Sequence, residues 1–324
     1  LFATINYFRP AQAGIVTEVK NVNRILQSDT EPKETPAFKG RKLRRKNMKK
    51  MALALCALTL VFAWPVQAKP VYVTASQNYI TQEVTGLAPF TALSVSGQAE
   101  VDFRQGAEKE PFAVIYGSDN LVNLVEVKSD GKTLTVHYKD PLIIMGQRRL
   151  KVTVVAPSLE RVEVRQSGEV DVQGLLTTTD LSLSADGEGE ISFRSVNAAN
   201  VTAHVSGDAS IDFDSLACQT LTADARNTAS FESERTTCDA VTLNASDRAE
   251  ASVGGFSGRT VTAAASNNAE VDLKGTALTA DLRASGSSEL EADDLRADTV
   301  NATVSDSARM KVQAVQTLNA DASK

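Results

Sequence analysis

The sequence is poor in the side chains that most enzyme sites use. It has two His and three Cys among 324 residues, so a zinc site or a His-dependent reaction has few candidate residues. Aromatic residues make up 5% of the chain, and neither Tyr nor Trp occurs after Tyr138. No Pro follows Pro157. The chain therefore changes character near residue 160, from a mixed region to one of biased composition.

Charge and hydropathy exclude two further classes of protein. The formal net charge is −6, with 34 basic and 40 acidic residues, which argues against a basic nucleic-acid-binding protein. No apolar runs suit a polytopic membrane protein, since each spanning helix needs about 20 apolar residues. We therefore expect no nucleic-acid partner, and no transmembrane segment once a signal peptide is cleaved.

Residues 48–68 have the pattern of a secretory signal peptide. Lys49 and Lys50 precede an apolar run over 51–64, and Ala68 ends a short stretch suited to signal peptidase. We expect cleavage after Ala68 and export through the Sec pathway, to the periplasm or cell surface of a bacterium. A retained single-pass anchor is the alternative, although about 14 apolar residues are few for a bilayer.

The segments on either side of this signal contribute no predicted domain. Residues 1–47 carry the basic run 41–46, and we interpret them as upstream reading frame or a disordered segment that precedes Met48. A nucleic-acid-binding or sorting arm is the alternative. Residues 69–86 are interpreted as a linker. Without residues 1–68 the chain keeps 22 basic and 36 acidic residues, a net charge of −14 that repels nucleic acid and anionic membranes.

A repeat of about 20 residues runs through the second half of the chain. Its large apolar anchor residues are separated by 21, 20, 20, 20, 20, 19 and 20 positions. The anchors are Val170, Ile191, Ile211, Phe231, Ala251, Val271, Leu290 and Met310. Small residues stand two positions before each anchor, and apolar residues alternate with polar ones further upstream. This alternation is typical of strands with one buried face.

A second column, four positions before the anchor, holds Gly, Asn or Asp. Its members are Gly97, Gly187, Gly207, Asn227, Asp247, Asn267, Gly286 and Asp306, where Gly97 belongs to an earlier rung. These residue types tolerate positive φ, so the column predicts a tight turn in each rung. Gln166 departs from the column, and Gly168 follows two positions later.

A 20-residue unit of strand, turn, strand and return cannot bury its apolar face alone, so consecutive units must stack. Stacking at about 4.8 Å per rung forms parallel sheets around a thin core. The sequence therefore predicts an all-β fold, a parallel β-helix (β-solenoid), with regular rungs over 161–324. A first rung over 89–103 precedes a short β excursion with strands expected at 112–116, 134–138 and 150–155. The last rung is incomplete, which we interpret as a truncated frame or a capping strand.

This order of segments resembles a family of bacterial envelope proteins, the "putative auto-transporter adhesin head GIN domain" family. The resemblance lies in the first rung PFTALSVSGQAEVDF, the β excursion, the passage APSL before VEVRQSGEVDV, and the Ser-Gly-rich and Ser-Asp-rich rungs that follow. It covers about 87–324. It implies an exported β-helical domain without an established biochemical role, for which adhesion is inferred from shape, and it transfers no catalytic residue.

Acidic residues flank the anchors on an outward face. They are Glu169, Asp171, Glu190, Asp212, Glu232, Glu250, Glu270, Asp272, Glu289 and Glu291. Carboxylate oxygens suit hard cations, so one interpretation is a Ca²⁺-binding or cation-bridged adhesive face. The other is a solvated, repulsive face that prevents lateral aggregation of the sheet. The Gly-rich Asp turns of calcium-binding β-helices do not occur, so we assign no metal ligand and no cofactor.

A second ladder consists of Thr residues nine positions before the anchors. Its members are Thr202, Thr222, Thr242 and Thr262. Flat Thr arrays can bind ice or crystalline glycans, but Thr is also an ordinary residue on the surface of a strand. We favour the second interpretation, because a binding array needs two parallel Thr columns and only two rungs provide the pair.

Cys218 and Cys238 are 20 residues apart and therefore share a column on adjacent rungs. This spacing places their Cα atoms about 5 Å apart, within the range of a disulfide. The compartment beyond the inner membrane is oxidising. The two residues are expected to form either a disulfide or a stacked pair of half-buried thiols.

Three functional hypotheses follow. The first is a non-enzymatic envelope protein, a β-helical adhesion or interaction module for an extracellular glycan or protein. The second is a polysaccharide lyase or hydrolase, but the carboxylates are spread along the helix without aromatic platforms, and His137 and His204 are interpreted as structural and surface residues. The third is a periplasmic scaffold with a protein partner. Self-association through an open end is a further mode of interaction, because an unpaired strand edge invites pairing.

Overall fold

The computed structural model describes residues 71–107, 110–139, 142–145 and 150–323. The expectations for residues 1–47 and for the signal peptide at 48–68 lie outside these ranges. The described residues form strands β1 (Val71–Thr74), β2 (Tyr79–Val84), β3 (Ala92–Gly97), β4 (Glu100–Gln105), β5 (Phe112–Ser118), β6 (Val125–Ser129), β7 (Thr133–Tyr138), β8 (Leu142–Met145), β9 (Leu150–Ala156), β10 (Arg161–Gln166), β11 (Glu169–Thr177), β12 (Asp180–Gly187), β13 (Glu190–Asn197), β14 (Asn200–Gly207), β15 (Ser210–Phe213), β16 (Leu216–Ala225), β17 (Ser230–Ser233), β18 (Thr236–Ala245), β19 (Glu250–Ser257), β20 (Thr260–Ala265), β21 (Glu270–Ala284), β22 (Glu289–Ser305) and β23 (Arg309–Ser323). One short helix, α1 (Asp119–Val122), follows β5. In the ranges given above, no helix is long and apolar enough to cross a membrane.

The 20-residue repeat forms a parallel β-helix, which confirms the predicted fold. Strands one rung apart pair in parallel and in register, so that Ile191 lies beside Ile211 and Ile211 beside Phe231. The same column continues through Ala251, Val271, Leu290 and Met310. Each of the eight anchors is at most 1% exposed, so the column forms a continuous part of the core.

Each regular rung has three sides. The first side holds the strand that precedes the turn column, for example 200–205 in β14. The second side holds the anchor strand, for example β15, and the third side holds a short return such as 216–218 in β16. Since every side pairs with the same side of the next rung, its outward residues form straight columns along the β-helix.

The turn between the first and second sides has a left-handed backbone in every rung. The residues with positive φ in this column are Gly97, Gln166, Gly187, Gly207, Asn227, Asp247, Asn267, Gly286 and Asp306, with values from 60° to 82°. Gln166 interrupts the sequence pattern but not the turn, because its φ is 63° and it pairs in register with Gly97 and Gly187. Pairing with both neighbouring rungs imposes on Gln166 a conformation that its side chain does not favour.

The core is narrow, and it combines small aliphatic residues with a short stack of aromatic rings. The rings of Phe193 and Phe213 stack with centroids 4.9 Å apart and planes inclined by 10°, and Phe231 follows at 6.0 Å. On the first side, four consecutive rungs place Ala in one buried column, at positions 225, 245, 265 and 284. Small residues in one column leave room for larger ones in another, as a thin close-packed core requires.

A β excursion follows the first rung and extends the sheets at the N-terminal end of the β-helix. β9 continues the second side beside β4, and β5 pairs antiparallel with β9 on one edge and with β2 on the other. β7 continues the first side beside β3 and pairs antiparallel with β6. The three strands expected in this region correspond to β5, β7 and β9.

Residues 69–86, interpreted above as a linker, contribute two strands. β2 covers the free edge of β5, and β1 pairs with β8 in a separate two-stranded parallel sheet. These strands were not predicted from the sequence, because they lie outside the 20-residue pattern. They form because their partners would otherwise present unpaired backbone N–H and C=O groups.

Gly207 makes the closest approach among the glycines of the turn column. A Cβ atom added there would lie 2.6 Å from the carbonyl oxygen of Gly187, and φ is +81°. We expect Gly207→Ala to lower the free energy of unfolding by about 2 kcal/mol, because the left-handed conformation and the close contact both oppose a side chain. Urea-induced unfolding measures this change.

Asp247→Gly is the matched control, because it lies in the same column with φ of 67°. Glycine accepts this conformation, so the free energy of unfolding should change by less than about 1 kcal/mol. Equal losses of stability in the two variants would contradict the explanation.

Candidate functional site: the outward columns of the β-helix

Two columns of mainly acidic residues run side by side on the second side. In order, the first column contains Glu100, Glu169, Glu190, Ser210, Ser230, Glu250, Glu270, Glu289 and Arg309. The second contains Asp102, Asp171, Ser192, Asp212, Glu232, Ser252, Asp272, Glu291 and Lys311. Neighbours in a column are one rung, about 4.8 Å, apart. The structure thus brings the acidic residues named from the sequence onto one face.

Cationic side chains lie at both ends of these columns. In β9, the Nζ atom of Lys151 is 3.0 Å from Glu100 and 2.8 Å from Asp102. The hydrogen bond to Asp102, with the one to Glu100, raises the pKa of Lys151. At the other end, Lys311 pairs with Glu291. Neither cation was predicted from the sequence, although continuing the acidic columns into the last repeat leads to Lys311.

Three carboxyl groups of the acidic columns have raised pKa values. Partial burial is the main cause for Glu169, Asp212 and Glu270, and carboxylates on adjacent rungs add to it. Both effects disfavour the charged form. Among the residues that the structure describes, no group of three or more His, Cys, Asp or Glu is arranged to hold a metal ion.

A pair of stacked aromatic rings lies beyond the Lys151 end of the acidic columns. The rings of Tyr79 in β2 and Tyr116 in β5 have centroids 6.0 Å apart and planes inclined by 21°. Tyr116 is 43% exposed and lies opposite Lys151 in the antiparallel pair of β5 and β9. This aromatic pair was not predicted from the sequence, because Tyr79 lies in the segment that was interpreted as a linker.

The outward face of the first side is different, because Thr is its commonest residue over 200–264. Thr202, Thr222, Thr242 and Thr262 are consecutive members of one column. A parallel column is linked by side-chain hydrogen bonds, in which Thr220 Oγ1 donates to Asn200 Oδ1 at 2.8 Å. We call the outward residues of the first side over 200–264 the Thr–Asn face. Asp224 is the one residue with a formal charge among the twelve outward positions of this face.

The two His residues lie far apart in the fold. On the Thr–Asn face, His204 Nδ1 lies 3.2 Å from Asp224 Oδ2 on the next rung. His137 belongs to the β excursion, where its Nε2 atom is 3.8 Å from Glu126. The structure therefore does not bring the two imidazoles into one site.

Cys218 and Cys238 form a disulfide on the third side. They pair in register between β16 and β18, and their Cα atoms are 4.6 Å apart. Cys238 is 1% exposed, whereas Cys218 is half-buried. The bond joins two adjacent rungs in the middle of the regular repeats.

Comparison of the chain with known protein families and structures agrees with this fold. The family model described as "Putative auto-transporter adhesin, head GIN domain" matches residues 89–255 and 239–324. The chain belongs to this family. No curated protein is detectably similar to it in sequence.

Several crystal structures share the fold of this GIN-domain protein. A "putative lipid binding protein" from Parabacteroides distasonis is 15% identical, with a TM-score of 0.63, and the match covers 77% of this chain and 99% of that one. A "putative adhesin" from Parabacteroides merdae is 15% identical, with a TM-score of 0.60 and coverage of 78% and 100%. At such identities the likeness establishes the fold alone.

The raised pKa values predict a pH dependence of stability. A carboxyl group whose pKa is higher in the folded than in the unfolded chain binds more protons when folded, so stability rises as the pH falls through that window. We therefore expect these groups to stabilise the protein as the pH falls from neutral toward the ordinary values of 3.8 for Asp and 4.5 for Glu. The combined variant Glu169→Gln, Asp212→Asn and Glu270→Gln should lose this contribution. Thermal unfolding of both proteins across this range measures it, and parallel curves would contradict the assignment.

The disulfide predicts that the native chain without residues 1–68, which lacks Cys56, has no reactive thiol. Intact-mass analysis should find no cysteine modified by an alkylating reagent before reduction and two modified afterwards. The double variant Cys218→Ala and Cys238→Ala should unfold with a free energy lower by about 3 kcal/mol, since the bond restricts the unfolded chain. Two modified thiols in native, unreduced protein would contradict the bond.

Proposed function

We propose that this protein is an exported, non-enzymatic adhesion or interaction module that binds a macromolecular partner through an outward side of its β-helix. The observation that supports this most is the constant register of eight rungs, which aligns the outward side chains of each rung with those of the next in continuous columns. The side of a solenoid is an extended surface suited to large partners. The adhesin description of the family agrees with this function.

Binding fits the acidic columns better than catalysis does. A glycoside hydrolase places an acid and a second carboxylate on either side of one bond, usually in a concave site. Here the carboxylates project from an outward sheet face, and similar neighbours recur from rung to rung. Such a surface favours contact with a long partner over reaction at one bond.

Two observations support a location beyond the inner membrane. The pattern at 48–68 is that of a Sec signal, and the cleaved chain would be strongly acidic. The disulfide between Cys218 and Cys238 agrees with an oxidising compartment, because such bonds are rare in the cytosol. The proposal places the module at the cell surface, where an adhesion partner is accessible.

Protease treatment of intact host cells tests this location. We expect external protease to cleave the module while a periplasmic marker protein stays intact. Protection of the module until the outer membrane is opened would overturn adhesion and favour a periplasmic scaffold, whose partner crosslinking would then identify. Turnover of any member of a polysaccharide panel by the purified protein would contradict the non-enzymatic part of the proposal.

A further inference from the structure

A depression of about 490 Å³ lies at the edge of the Thr–Asn face, next to the turn column. Its polar lining consists of Asp224, Arg226, Asn244, Ser246, Asp247 and Ser266. Ala264 and the chain at the core residues 225 and 245 complete the lining. These groups come from three consecutive rungs in the regular part of the β-helix.

The depression exists because one outward column becomes small at a single rung. Asp224, Asn244 and Ala264 are consecutive members of that column, and Arg283 follows on the next rung. Ala264 therefore leaves space beside Asn244 that a longer side chain would fill. Ser246 and Ser266 are also short, so the space extends toward the turn.

The lining presents hydrogen-bond donors and acceptors close together. Asn244 donates one amide N–H to Asp224 at 2.8 Å, and its amide has a second N–H and a carbonyl oxygen. Asp247 accepts from Asn267 at 3.1 Å through one of its two carboxylate oxygens. Arg226 brings five N–H donors. Adjacent sugar hydroxyls both donate and accept hydrogen bonds, so a carbohydrate can satisfy carboxylate, amide and guanidinium groups together.

The charge of the surroundings favours a neutral carbohydrate. The Thr–Asn face beside the depression carries one formal charge in twelve outward positions. The chain without residues 1–68 has a net charge of −14, which repels an acidic polysaccharide at long range. A neutral polysaccharide meets no such repulsion and finds hydroxyl groups along the Thr column.

We propose that the depression and the Thr–Asn face bind a neutral polysaccharide. One sugar residue is seated between Arg226 and Ala264, and the chain continues along the column from Thr262 to Thr202. This inference rests on the proposed function as a binding module and names its ligand. The sequence favoured an ordinary strand surface for the Thr column. The depression beside that column is an additional feature, and it is the reason for proposing a binding surface instead.

Affinity electrophoresis of the full chain through gels containing dextran, mannan or xylan, with cellulose and chitin sedimentation for insoluble glycans, tests the proposal. We expect at least one neutral polysaccharide to retard or sediment the protein, and alginate, an acidic polysaccharide, to have no effect. Ala264→Gln fills the depression without adding charge, and Arg226→Ala removes its guanidinium. Ala264→Gln should exclude the sugar by occupying its space, and Arg226→Ala should remove a polar contact with it. Each variant should bind at least about tenfold more weakly.

Thr237→Gln is the matched control, because Thr237 is exposed on the third side, away from the depression. It should bind as the original protein does, and circular dichroism of all variants should show the same β-helix. Failure of every neutral polysaccharide to bind, or full binding by the Ala264→Gln variant, would overturn the inference. The protease test of location is independent of these results. If external protease cleaves the module but no glycan binds, the proposed function stands and only the assignment of a polysaccharide ligand is overturned.

Discussion

The backbone hydrogen bonds between rungs are the constraint on which the rest of the structure depends. At the start of successive second sides, Glu190 donates to the carbonyl of Gly168 at 3.0 Å, and Ser210 donates to that of Gly189 at 2.9 Å. Parallel pairing of this kind keeps a constant offset along the strands. A residue therefore meets its equivalent in the rungs above and below, which explains why anchors, turns and outward columns are all continuous.

This constraint also explains why so much of the fold can be predicted from the sequence. The spacing of anchors such as Ile191 and Ile211 equals the number of residues in one rung, and the Gly, Asn and Asp residues of the turn column indicate the positive φ. Strands β1 and β2 show no such periodicity in the sequence, because they pair with β8 and β5, outside the repeat. Gln166 shows the same limit within the repeat, since pairing with neighbouring rungs and not its own preference sets its conformation.

The candidate surfaces are predictable only as far as they repeat. The acidic columns appear in the sequence as periodic residues, and the structure places them on one face. Lys151 has no repeat position, so its pairing with Glu100 and Asp102 depends on how β9 docks beside β4. The depression depends on the small side chain of Ala264 beside Asn244, which the alignment of columns alone does not mark as a site.

Stacking in register gives the two outward faces different electrostatic consequences. On the second side, equivalent carboxylates of adjacent rungs lie close together, and the Ser residues at 192, 210, 230 and 252 dilute the charge in the middle of the columns. Lys151 and Lys311 offset it at the ends. On the Thr–Asn face, stacking instead produces hydrogen bonds between rungs, such as that from Thr220 to Asn200. The same repeat therefore gives two different surfaces. The acidic columns repel negatively charged ligands, whereas the Thr–Asn face presents no such repulsion to a neutral ligand.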